Sequence, residues 1–98
     1  MHDDIWAAPR PAELTWRDWD EFGVVYDSGS GSTHLLSALG IEILAMLVSA
    51  PRRERDVIAE LLGAMPDGLD ADEAALQIAH QLRWLEGLGL AQISAPAA

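Results

Sequence analysis

The apolar positions change their period once along this chain, close to Ser37. Before that point Phe22, Val24, Val25 and Tyr26 form a β-branched and aromatic run. Asp27 to Ser32 is a run of turn formers, and Thr33 to Leu36 returns as a strand. The pattern predicts a β-hairpin over Phe22 to Leu36. Leu14-Thr15-Trp16 predicts a short preceding strand, set off from the hairpin by the acidic turn Asp18 to Glu21. A lone hairpin is marginal in water, so the expected unit is a small three-stranded antiparallel sheet. Residues 1–13 contain Pro9 and Pro11 and read as an extended or ragged arm, with Trp6 as an anchor onto the core.

From Ser37 onward the period is helical. Leu39, Ile43, Leu44, Leu47 and Val48 follow three-and-four spacing, with Ser37 placed to cap the helix. Pro51 marks its end or sits in the first turn of the next helix. A second helix is predicted over Arg53 to Met65 with Val57, Ile58, Leu61 and Leu62 inward and Arg52, Arg53 and Arg55 outward. Met65-Pro66-Asp67-Gly68 is expected to end it. Asp70-Ala71-Asp72-Glu73 has the pattern of a capping box and opens a third helix. Leu76, Ile78, Ala79, Leu82, Leu85 and Leu88 are its apolar positions, and Gly89 is its left-handed cap. Leu90 to Ile93 could add a short strand, and residues 94–98 read as a frayed tail.

Three strands followed by three helices predict an α+β winged helix-turn-helix. The second and third helices form the helix-turn-helix, and the hairpin forms the wing-like sheet. The 98 residues suit one domain spanning 1–98, with no room for a second.

Charge then narrows the function. Six basic residues, all Arg, stand against 16 Asp and Glu, for a formal net charge of −10. Nucleic-acid affinity comes mainly from neutralising phosphates, so this field repels DNA and RNA, and likewise anionic membrane surfaces. The third helix, which would read bases, opens with Asp70, Asp72 and Glu73 and carries one basic residue, Arg83. A basic or apolar peptide partner is compatible with the charge. The acidic start of the chain is unlike a signal peptide, and the run Ile43 to Val48 is far short of the ~20 residues that span a bilayer. With no Cys, neither disulfides nor thiolate metal sites are available. The expected location is the cytoplasm.

Candidate chemistry is thin. His2, His34 and His80 fall on different elements, with no spacing that would gather metal ligands. Ser28-Gly29-Ser30-Gly31-Ser32 joins two predicted strands in a chain without Lys, whereas a phosphate cradle leads into a helix and usually carries one. It is read as a turn. No nucleophile elbow precedes a helix. The reading is a chain with no catalysis and no cofactor.

Several of these residues carry a family likeness. Val24-Val25-Tyr26-Asp27, a Gly/Ser turn, then Thr33-His34-Leu35-Leu36 leading into a helix resembles the pyrroloquinoline-quinone synthesis protein D (PqqD) family. The Asn usual at the helix entry is replaced by Ser37. Leu82-x-x-Leu85-x-x-x-Gly89-Leu90 resembles the family's closing pattern. Trp16-x-x-Trp19-Asp20 with Val25-Tyr26 and Ser30-Gly31-x-Thr33-His34-Leu35 looks more specifically like the PqqD-type chaperones of the HPr-rel-A system. The likeness covers roughly residues 14–93.

The resemblance implies a non-catalytic recognition element for peptides made on ribosomes and later modified. Such a protein binds the leader of a precursor peptide and presents it to a modifying enzyme. The leader would add as a strand beside the third predicted strand, at Thr33, His34, Leu35 and Leu36. The third helix would wall the groove with Ile78, Gln81, Leu82 and Leu85. Strand addition draws affinity from main-chain hydrogen bonds, and needs only an unpaired edge and pockets for alternate side chains. Leu35, Leu36, Ile78, Leu82 and Leu85 also stand at core spacing, so Gln81 and His34 discriminate better. An open edge also allows a strand-swapped homodimer. The alternative is an acidic winged-helix module that binds a protein partner without binding leaders.

Overall fold

The structure is a computed structural model and describes residues 4–64, 68 and 70–95. Its elements in chain order are β1 (Ile5–Ala7), a 3-10 turn (Pro11–Glu13), β2 (Leu14–Asp18), β3 (Phe22–Asp27) and β4 (Ser32–Ser37). Then follow α1 (Ala38–Ser49), β5 (Arg52–Arg53), α2 (Glu54–Ala64), α3 (Ala71–Gly87) and β6 (Gln92–Ala95). The α+β winged helix-turn-helix class is as expected, with the hairpin, the preceding strand and the three helices where the periodicity puts them. The predicted end of α2 at Met65-Pro66-Asp67 lies outside the described residues.

The structure adds a second sheet. Strands β2, β3 and β4 form one antiparallel sheet in that order, and β5, β1 and β6 form another. The N-terminal stretch is thus no ragged arm, because Ile5–Ala7 is the central strand of this second sheet. Trp6 is the reason. Its side chain is fully buried, and its indole N–H donates to Glu54 Oε1 at 3.0 Å at the start of α2. A buried indole needs such a partner. Trp6 pairs with Arg52 on one side and Ile93 on the other, so three segments distant in sequence close around one aromatic.

Helix α1 lies between the two sheets and buries more than the one face expected of it. Gly40, Ile41 and Met46 join Ile43, Leu44 and Leu47 in the core, because α1 packs on β1, β3, β4 and α3 at once. A helix contacted on several sides is apolar on several sides. Gly23 of β3 permits the closest approach: a Cβ there would stand 2.5 Å from Ile41 Cγ1.

The caps act as their residue types require. Ser37 Oγ accepts the Gly40 N–H at 3.1 Å, and Asp70 Oδ1 accepts the N–H groups of Asp72 (2.9 Å) and Glu73 (3.2 Å). At the other end of α3, Gly89 takes φ +78°. The Leu90 N–H then reaches Leu85 O at 2.9 Å and the Gly89 N–H reaches Glu86 O at 3.0 Å, the paired bonds of a Schellman stop. This stop aims the chain at β6, which pairs with β1.

One expected core position of α3 is on the surface. Leu76 is exposed, because two residues along a helix is about 200° of rotation and the core lies on the side of Ile78.

Candidate functional site: the β4 edge and the α3 face beside it

Strand β4 pairs with β3 on one side, and no described strand pairs with it on the other. Its backbone N–H and C=O groups on that edge form a ladder with no strand to complete it, which is the template strand addition uses. Side chains alternate across it. Leu36 is buried and His34 half-buried on the core face, while Thr33 and Leu35 are exposed on the outer face. Leu35 is 67% exposed and lies opposite Val24, so it belongs to the outer surface and not to the core.

The hairpin turn that aligns this edge is built by a carboxylate. Asp27 is buried, and its Oδ2 accepts from Arg10 Nη2 at 2.8 Å while Oδ1 accepts the Gly29 N–H at 2.9 Å. Asp27 O also accepts the Gly31 N–H at 2.7 Å, with Gly31 at φ +75°. The Arg10 guanidinium, through its hydrogen bond, holds the Asp27 carboxyl below its usual range against the opposing effect of burial. The turn is latched on its own N-terminal segment and presents a negative group at its base, so it is a connector with no resemblance to an anion cradle.

Helix α3 reaches the end of the β4 edge at one residue. Ser37 Oγ donates to Gln81 Oε1 at 3.5 Å, across 44 positions of sequence. Gly40 makes this approach possible, since a Cβ there would stand 3.1 Å from the same oxygen. On a helix the neighbours of position 81 are 77, 78, 84 and 85; Ile78 and Leu85 are buried on one flank, and the other flank runs through 77, 84 and 88. Gln77 and Trp84 are exposed and Leu88 is half-buried, so this side of α3 carries an exposed indole and two amides.

The other predicted residues of α3 are placed differently. Ile78, Leu82 and Leu85 are all fully buried. They belong to the core cluster with Trp6, Val25, Leu36, Ile43 and Leu44, and they hold α3 from behind instead of lining a surface. Of the four α3 residues singled out in sequence, Gln81 is the one that takes a side-chain hydrogen bond from β4. Trp84 and Gln77 were not assigned to the site from sequence. Spacing from Gln81 fits Ile78 and Leu85 equally well, and it is burial that separates the exposed flank of Gln77 and Trp84 from the core flank, while the Ser37 contact sets Gln81 itself beside β4.

Comparison with known proteins yields the fold. The sequence matches no family model and no curated protein. Among solved structures, one similar in fold is TbiB1 in complex with the TbiA(beta) leader peptide. It has 18% sequence identity and a TM-score of 0.64, over 85% of this chain and 93% of that one. A second is lasso peptide synthetase B1 complexed with the leader peptide. It has 21% identity and a TM-score of 0.63, over 89% of this chain and 96% of that one. At these identities what is shared is the architecture.

Proposed function

We propose that this chain is a non-catalytic adaptor that binds the leader segment of a ribosomally made precursor peptide and presents it to a modifying enzyme. The observation that carries the reading is the meeting of an unpaired strand edge with an exposed helix face at Ser37 and Gln81. Both fold neighbours named above are bound to leader peptides, which supports the same use of the fold here. So does the sequence resemblance to PqqD-like chaperones.

In this reading the leader adds as a fourth strand beside β4, hydrogen-bonded along Thr33, His34, Leu35 and Leu36. Its inward side chains meet Gln81, and beside it Gln77 and Trp84, with Ile78, Leu82 and Leu85 fixing the helix behind them. Indole and amide groups suit a partly apolar peptide that carries a few polar side chains. Nothing in this mode needs a nucleophile, a metal or a cofactor. The acidic opening of α3 at Asp70, Asp72 and Glu73 disfavours nucleic acid as the ligand. Among the described residues no helix is long and apolar enough to cross a membrane, and the working location proposed is the cytoplasm.

Calorimetric titration with the synthetic leader of a precursor encoded beside this gene tests the reading. One-to-one saturable binding is expected. No binding to any such leader, with binding to duplex DNA in its place, would overturn it.

A further inference from the structure

Strand β2 is the opposite edge of the same sheet, and the turn after it carries a second surface. Trp19 is half exposed there; its backbone N–H donates to Phe22 O at 2.8 Å and its ring stacks on that of Phe22 with centroids 5.0 Å apart. On one side of the indole is the outer sheet face with Arg17, Val24 and Tyr26. On the other is a cleft of 310 Å³ between β2 and α1, lined by Trp16, Ile41 and Ala45 together with Asp18, Asp20 and Glu42. We propose that this aromatic edge docks a partner protein through an arginine side chain seated in the cleft between β2 and α1.

Charge selects the occupant. Among the described residues, no ion pair engages Asp18, Asp20 or Glu42. Arg17, their neighbour in sequence, alternates to the outer face of the strand. A purely apolar partner would cover three carboxylates without neutralising them, which is costly. A second copy of this chain would bring a further −10 to the same place. An arginine meets both features: its planar guanidinium stacks on an indole and forks to carboxylates, which an ammonium does less well. Strand β3 separates β2 from β4, so a partner seated on β2 does not take the strand edge at which the peptide is proposed to add. That this partner is the enzyme acting on the bound peptide rests on the function proposed above; the arginine site does not.

The test is NMR of the whole chain, ¹⁵N-labelled, titrated with N-acetyl-arginine methylamide and, separately, with its uncharged isostere N-acetyl-citrulline methylamide. The arginine compound is expected to shift the indole N–H signals of Trp16 and Trp19 saturably, leaving those of Trp6 and Trp84 in place. The exposed double variant Asp20→Asn/Glu42→Gln should weaken the response at least tenfold while keeping the remaining amide spectrum and leader binding unchanged. No shift, an equal shift with the citrulline compound, or a response centred on Trp84 would overturn the proposal. A parent chain that gives the arginine response but binds no leader would count against the adaptor function and leave this site standing.

Discussion

Ser37 and Gln81 touch at 3.5 Å, and the contact ties the start of α1, the end of β4 and the middle of α3 into one corner. Ser37 also caps α1 through the Gly40 N–H. Ser37→Ala removes both links, and loss of such a cap costs about 1 kcal/mol. Urea denaturation should show a lower midpoint with an unchanged slope. Ser37→Asp, which can still cap, should recover most of the loss.

Trp84 and Leu82 separate binding from folding. Trp84 is 58% exposed, so Trp84→Ala should leave the thermal midpoint nearly unchanged and weaken leader binding several-fold by calorimetry. Leu82 is fully buried, and truncating it to Ala removes core contacts and leaves a cavity, a loss of about 2–5 kcal/mol. If Trp84→Ala bound the leader as the parent does, the Gln77–Gln81–Trp84 side of α3 would not be the wall.

Much of this was legible in the sequence, and the failures have specific physical causes. The hairpin, the caps at Ser37 and Asp70 and the stop at Gly89 are local, so spacing and turn chemistry suffice to find them. The second sheet is not local. Its strands of three, two and four residues are joined by pairings between residues 5–7, 52–53 and 92–95, and none is long enough to show a period. Trp6, expected to anchor onto the core, pointed towards it, but an anchor does not specify a strand. The candidate site was legible as an edge and a helix. Which residues of α3 face the edge was not, because Ile78, Leu82 and Leu85 satisfy the helical period as pure core.

Gly23 is a close-packing position of the kind a hairpin pattern does not reveal. A Cβ at this position overlaps Ile41 of α1, and overpacking typically costs about 1–3 kcal/mol. Gly23→Ala should lower the denaturation midpoint. Adding Ile41→Val should restore part of it, because the methyl removed is on the side chain that clashes. Additive losses in the double variant would place the strain elsewhere.

Asp27 sets a pH dependence. Its carboxyl is held below the usual range by Arg10, so the folded state binds that proton less readily than the unfolded chain. The stabilisation is fully present above the ordinary carboxylate pKa and is lost as pH falls through the lower folded value. Denaturation midpoints measured from pH 6 down to pH 2 should therefore fall more steeply for the parent than for Asp27→Asn, which is less stable at pH 6 and loses its disadvantage in acid. Parallel curves would mean the Arg10–Asp27 pair contributes nothing to folding.

The central claim is that a peptide completes the sheet at β4. Amide hydrogen exchange of the whole chain, with and without a saturating leader peptide, tests it most directly. The account predicts slowed exchange concentrated at Ser32–Ser37, with smaller protection in α3 around Gln81 and no change in β2. Tight binding that protects β2, or that leaves the β4 amides exchanging as in the free chain, would contradict it.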